Sequence, residues 1–256
     1  MPTLILDAGN TRMTCAVWDA EIHGPHSAPG RADRLLPPVP LRELGAVDLP
    51  SGPEGIKSFQ ESFRHIRDQV PSGTVVLVSV VPRIAGLLPT DLDIIVVDHT
   101  LDLPFVLGVD IPSQVGPDRL CNMAAAAASG LESALVVDAG TATTFDLLLD
   151  GVFRGGLIAP GMAFAARKLG EAAARLEPVP FGPAGWEVGR NTEAAMAGGA
   201  WHVGTGGVMA TVSGLLQQYG DLPVIVTGGL GSYLQDSNWY QDPHWTLRGA
   251  GILARR

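Results

Sequence analysis

Two aspartates, Asp7 and Asp138, each close a run of apolar, strand-forming residues and each lead through Ala-Gly into a short polar turn. The first stretch reads Leu4-Ile-Leu-Asp7-Ala-Gly9-Asn10-Thr11. The second reads Leu135-Val-Val-Asp138-Ala-Gly140-Thr141-Ala142-Thr143. A carboxylate at a strand end can hold Mg²⁺ or another hard cation, directly or through water. The glycine beyond it lets backbone N–H groups approach an anion with no Cβ in the way. The amide of Asn10 and the hydroxyls of Thr11, Thr141 and Thr143 can donate to phosphate oxygens. An ordinary glycine hairpin with an Asx-turn would use the same residue types. Writing the pattern twice favours a phosphate-binding device.

A third carboxylate stands in Gly116-Pro-Asp118-Arg119, which opens a predicted helix running to about Ser129, with Gly130 as its stop. A helix N-terminus keeps such a carboxylate ionised. It serves there either as a plain cap worth about 1 kcal/mol or as an acceptor for a hydroxyl proton that moves late in a loose transition state. The residues alone leave both uses open. Arg119 fits recognition of an anionic substrate or phosphoryl group, or a surface ion pair. The chain has no GxxxxGK[ST] and no GxGxxG, so a nucleotide would be held by the paired turns. Phosphoryl transfer asks mainly for positioning and charge neutralisation.

The elements that must position these groups follow from the pattern. Each turn leads into a second apolar, Thr-containing strand, Met13–Trp18 and Thr144–Leu149. Each of these ends on an aspartate twelve residues after the first, Asp19 and Asp150. The copies lie 131 residues apart in a chain of 256, so each opens one half, and the unit reads as a duplication. Residues 20–55 are rich in Pro and Gly and are expected to hold a third strand and irregular connections; His23 and His26 fall there and read as a surface loop. Ile56, Phe59, Phe63 and Ile66 recur at helical spacing. Val75–Val81 and Ile94–Val97 read as strands of a mainly parallel sheet, buried on both faces. Further helices are expected at 162–176, 192–218 and 247–256, and strands at 152–159 and 223–227. The 192–218 region is dense in Gly and Ala, a pattern for close helix packing or a subunit interface. Alternating strands and helices predict an α/β fold of two such layers.

With 46% hydrophobic and 17% charged residues the chain can bury sizeable cores. A net charge of −9 argues against nucleic acid or an anionic membrane as the main partner. Cys15 and Cys121 form no metal-binding spacing and read as buried free thiols. No leader-like or membrane-spanning run is expected, so a cytoplasmic protein is.

Taken in order, Asp7-Ala-Gly-Asn-Thr11, Ser79-Val-Val-Pro82, Gly116-Pro-Asp-Arg119, Asp138-Ala-Gly-Thr141, Gly155-Gly-Leu-Ile-Ala-Pro-Gly161, Asn191-Thr-Glu193 and Thr227-Gly-Gly229 resemble the motifs of the type III pantothenate kinases. These belong to the acetate kinase, sugar kinase, Hsp70 and actin superfamily. The resemblance spans nearly the whole chain. It implies two actin-like (ribonuclease H-like) subdomains, expected as 1–117 and 118–256, with an ATP cleft between them. It implies phosphorylation of pantothenate by ATP, the first step of coenzyme A synthesis. Asp118 is then the proton acceptor. Asp7, Ala8, Gly9, Asn10, Thr11, Arg12, Met13 and Thr14 form the first ATP loop, with Asp7 organising Mg²⁺ through ATP, and Thr141 contacts ATP from the second. Asp138 matches the site of a monovalent cation, K⁺ or NH₄⁺. Gly116, Pro117, Asp118, Arg119 and Thr192 match substrate-binding positions, and Thr192 lies near a homodimer interface in the family. Where the family often shows Tyr-x-Asn-Pro lining the pantothenate pocket, this chain reads Val109-Asp-Ile-Pro112. That departure keeps two alternatives in view: a kinase of the same fold for another small hydroxy acid, and a non-catalytic ATP-binding regulator. The zinc-containing sugar kinases are set aside because their cysteine cluster is missing.

Overall fold

The computed structural model describes residues 2–9, 12–18, 41–50, 53–70, 74–79, 81–172 and 176–255. Asn10, Thr11, Asp19, His23 and His26 lie outside the described residues. The chain divides into two compact units. One comprises Met1–Glu132 with Gly151–Phe153 and Trp245–Arg256; the other comprises Ser133–Asp150 with Arg154–His244. The segment beyond the expected 117/118 boundary that carries Asp118 and Arg119 therefore falls in the first unit.

The first unit is built on strands β1 (Thr3–Ala8), β2 (Arg12–Trp18), β3 (Leu41–Asp48), β4 (Val75–Ser79) and β5 (Ile94–Val96), ordered β3-β2-β1-β4-β5. β1, β2 and β3 pair antiparallel, and β4 and β5 add in parallel. Because side chains alternate along a strand, Leu4, Leu6 and Ala8 face one way and pack with Met13, Cys15 and Val17. Phe59, Phe63 and Ile66 of helix α1 (Pro53–Arg67) cover that side. Helices α2 (Pro117–Ala128) and α5 (Trp245–Leu253) pack against the strands as well, which is why β1 and β4 are apolar at nearly every position. β5 departs from expectation: it is the sheet edge, its residues are only partly covered, and Val96 is 45% exposed. With a neighbour on one side only, its apolar run is not enclosed as that of β4 is. A short strand β6 (Val106–Leu107) pairs in parallel with Val152 and Phe153.

The second unit carries β7 (Ala134–Ala139), β8 (Ala142–Leu149), β9 (Val152–Pro160, from Arg154 on), β10 (Val224–Thr227) and β11 (Tyr240–Gln241), with the order β11-β10-β7-β8-β9. Helices α3 (Met162–Ala172) and α4 (Thr192–Tyr219) supply Met162, Val208 and Val212 to a core with Leu135, Val137, Phe145 and Val226. Both units thus show an antiparallel hairpin whose first strand takes a parallel strand on its other edge, β4 on β1 and β10 on β7. No helix among the described residues is long and apolar enough to cross a membrane.

Candidate active site

In the first unit β1 delivers Asp7 to the end of its strand, half-buried, with Thr14 directly across on β2 and Val78 alongside on β4. The turn is closed by the Gly9 N–H donating to the Arg12 carbonyl at 3.0 Å. Arg12 is exposed, Met13 is buried in the core, and Ala8 faces the same core. Of the expected ATP loop, Asp7, Ala8, Gly9, Arg12, Met13 and Thr14 are among the described residues. Beside it, the chain leaves β4 through Ser79, whose hydroxyl accepts from the Val81 N–H at 3.0 Å and so turns it into the 3-10 segment Pro82–Leu87.

Asp118 stands in the first turn of α2, and the N-cap is Gly116, with Pro117 next. Pro at this point suits a helix start, since its missing N–H would be unpaired anyway. Asp118 Oδ1 accepts from the backbone N–H of Arg119 at 2.8 Å. Gly116 has ordinary extended dihedrals (φ −61°, ψ 144°), so its conformation does not call for glycine. Space does. A Cβ there would stand 2.5 Å from Asp118 Oδ1. The guanidinium of Arg119 lies over the Phe153 ring, 5.4 Å from its centroid, and Phe153 is itself edge-on to Phe105. One turn into α2, Cys121 is fully buried, and its thiol is pushed well above its usual range by burial first and then by the negative charges of Asp7 and Asp118. Asp7 and Asp118 both belong to this unit. Cys15 is also a buried free thiol, pushed up to about 12 by burial.

In the second unit β7 delivers Asp138 in the same way, and the Gly140 N–H donates to the Ala142 carbonyl at 3.0 Å. The second turn is one residue tighter: Ala8 pairs with Met13, whereas Ala139 pairs with Thr143. Thr141 is exposed at its tip. Two glycine motifs press against it. Gly161 donates its N–H to the Thr141 carbonyl at 3.0 Å, and a Cβ on Gly161 would collide with the carbonyls of Gly140 and Thr141. Gly228, at φ +86°, sits against the hairpin so closely that a Cβ would be 2.5 Å from Asp138 Oδ1, while Leu230 N–H donates to the Ala139 carbonyl. Thr227, in register with Asp138, buries its hydroxyl with no hydrogen-bond partner. A carboxylate beside an unpartnered hydroxyl is an all-oxygen donor set, which fits a hard cation.

Thr192 begins α4, capped by Asn191, whose side chain accepts from Ala194 N–H at 2.8 Å; Thr192 is exposed. Val109-Asp-Ile-Pro112 runs into a 3-10 turn (Pro112–Gln114) ahead of Gly116, with Ile111 exposed. Sequence reasoning missed Asn122 and Asp146, both fully buried. Thr144 donates its hydroxyl to Asp146 at 3.0 Å. A polar residue inside an apolar run is the one signal that marks either.

Comparison with solved structures defines the fold class. The chain superposes on a Campylobacter jejuni protein named for the Baf family of transcriptional activators with a TM-score of 0.56 at 18% identity, covering 98% of this chain and 97% of that one. It matches the Lmo2764 protein of Listeria monocytogenes, assigned as an N-acetylmannosamine kinase, with a TM-score of 0.51 at 11% identity, covering 100% and 99%. The class is the actin-like α/β fold of sugar kinases, as the duplicated hairpins imply. The family model for type III pantothenate kinase matches residues 3–214. Type III pantothenate kinases of Paramagnetospirillum magneticum and Listeria monocytogenes are 31% and 32% identical to the chain, each aligning over 99% of it and 96% of the relative. The chain belongs to the type III pantothenate kinase family.

Proposed function

We propose that this protein transfers the γ-phosphoryl group of ATP to the primary hydroxyl of pantothenate, forming 4'-phosphopantothenate and ADP, with Asp118 as the proton acceptor. The observation that carries the assignment is the placement of Asp118. Its Oδ1 is oriented by the Arg119 N–H and packed against Gly116, which leaves Oδ2 to take the hydroxyl proton as the oxygen–phosphorus bond forms and the bond to ADP breaks. Arg119, braced on Phe153, and Gly116 and Pro117 at the helix start line the substrate side. In the first unit Asp7, Gly9, Asn10, Thr11, Arg12 and Thr14 contact ATP while Ala8 and Met13 anchor the loop in the core, and Thr141 contacts ATP in the second. Mg²⁺ neutralises phosphate charge, and Asp7 is the group that would hold it through ATP. Asp138 and Thr227 would hold a monovalent cation, K⁺ or NH₄⁺, beside the second turn.

A homodimer completes the reading, with Thr192 contacting pantothenate near its interface. Three features of the second unit support it. α4 buries only Met196, Val208 and Val212 over 28 residues. Gly198, Gly199, Gly206 and Gly207 have open space where a Cβ would be. Val203 is 76% exposed and Trp186, stacked on His202, is 86% exposed. The cytoplasm is the expected compartment. Following ADP release with pantothenate and ATP, for the native enzyme and for Asp118→Asn, tests the assignment: turnover in the native enzyme that survives the substitution would overturn it.

A further inference from the structure

The C-terminal helix α5 is read from the sequence as a closing element, yet it is joined to the helix that carries Asp118 by two side-chain hydrogen bonds. Asn122 lies four residues after Asp118, on the same face of α2 one turn on, and is fully buried. Thr246 donates its hydroxyl to Asn122 Oδ1 at 2.8 Å, and Trp245 donates its indole N–H to the Asn122 backbone carbonyl at 3.0 Å. Both donors are buried. The two helices also touch backbone to backbone: a Cβ on Gly249 would collide with the carbonyl of Cys121. Beyond it, Gly251 packs directly on the Trp18 ring of β2, and α5 packs against β1 and β4 as well. α5 thus packs against both α2 and the strands β1, β2 and β4, the first of which carries Asp7.

We propose that α5 is a strut that sets where Asp118 stands, and that Asn122, with Thr246 and Trp245, is a positioning group for the phosphoryl transfer. The geometry explains why the bonds are polar. An apolar contact would bury the helix as well but would let α2 slide or rotate by a fraction of an ångström. A carboxamide held at its side-chain oxygen, on a residue held at its backbone carbonyl, fixes both the height and the rotation of the turn below Asp118. Proton acceptance by a weak base depends on that placement, since a misplacement of about 1 Å can cost on the order of 100-fold in rate. Substrate binding to the hairpins does not depend on it in the same way.

The proposal rests on Asp118 being the proton acceptor, and the test separates the two ideas. Thr246→Val keeps the shape of the side chain and removes the donor. It should lower kcat about tenfold with the KM for ATP within about twofold of native, and Thr246→Ser should restore kcat. Leu253→Ala, a buried change on the same helix that touches none of these bonds, serves as the control for loosened packing. It should lower the thermal midpoint at least as much as Thr246→Val while leaving kcat near native well below that midpoint. Native kcat in Thr246→Val, or the same loss of kcat in both variants, would overturn the strut. Asp118→Asn is assayed alongside. If it is inactive while Thr246→Val is fully active, only the strut fails; if Asp118→Asn turns over normally, the base assignment fails and the strut with it.

Discussion

Gly116→Ala separates the chemistry of Asp118 from the stability of the helix it starts. The added Cβ would stand 2.5 Å from Asp118 Oδ1, at least 0.5 Å inside the 3.0 Å that real Cβ contacts respect. The backbone does not resist the change, because φ −61° and ψ 144° are open to alanine. Replacing glycine where the conformation is allowed raises stability by about 0.4–1 kcal/mol through the unfolded chain. Turning the carboxylate away weakens the 2.8 Å bond from Arg119 N–H, a loss of about 1 kcal/mol. The two nearly cancel, so the thermal midpoint should stay within about 3 °C of native. The carboxylate, however, is displaced by a good part of an ångström, and kcat should fall about 10- to 100-fold. Steady-state kinetics with both substrates saturating, beside a thermal melt of the same preparation, reads both quantities. Native kcat with a native melt would show that the carboxylate does not need this position. A large drop in midpoint would show that Gly116 is there for the fold.

Asp118→Asn should lower kcat by roughly two to four orders of magnitude while leaving the melt nearly unchanged, measured by the same assay. Activity should be higher in K⁺ than in Na⁺, and Asp138→Asn should abolish the difference; an enzyme indifferent to the exchange has no such site. Burial holds Cys15 protonated, from a usual 9.0 up to about 12. Its folded pKa lies above its unfolded one, so its contribution is complete below pH 9 and is lost as pH rises towards 12. Urea unfolding at stepped pH above 8 should show this fall, and Cys15→Ala should make it shallower. Gly199→Leu on the open face of α4 should weaken dimerisation and raise the KM for pantothenate more than that for ATP, read by sedimentation and kinetics together; a fully active native monomer would refute the shared interface.

The hairpins are legible in the sequence because each is local: an apolar run, an aspartate, a glycine and a hydroxyl occupy neighbouring positions, and the duplication repeats them. Asp118 is legible for the same reason, since Gly-Pro-Asp at a helix start is a local signal. What escapes is non-local. Asn122 looks like one polar residue in an alanine helix, and its partners lie 123 and 124 residues away, in a helix with no motif of its own. Gly116 reads as a substrate-binding position, and the sequence does not show the further constraint on it, the carboxylate two residues on. The same β-branched pattern serves enclosed β4 and edge strand β5, because composition reports apolar character and not the number of neighbouring strands. The tighter second turn is invisible as well: the residue types match, and only the strand register shows the missing residue.

That missing residue bears on why two copies of one device would hold different cations. Asp7 pairs with Thr14 across the hairpin, and its negative charge, like that of Asp118, raises the pKa of the buried Cys121 thiol. A divalent ion held through ATP would answer the charge of Asp7. Asp138 is half-buried like Asp7 but has different neighbours. Gly228 closes on its carboxylate, the in-register Thr227 offers a buried hydroxyl with no other partner, and Gly161 ties down the shortened turn beyond. One carboxylate among neutral oxygens would balance the charge of a singly charged ion, as the proposed K⁺ or NH₄⁺ site requires. On this argument the duplication supplied the scaffold, and the groups packed around each aspartate would decide which cation it serves. Gly228→Ala should then damage the K⁺ response before it damages ATP binding. The reverse order, read from activity titrated with K⁺ and with ATP in turn, would place Gly228 in the nucleotide site and not in the cation site.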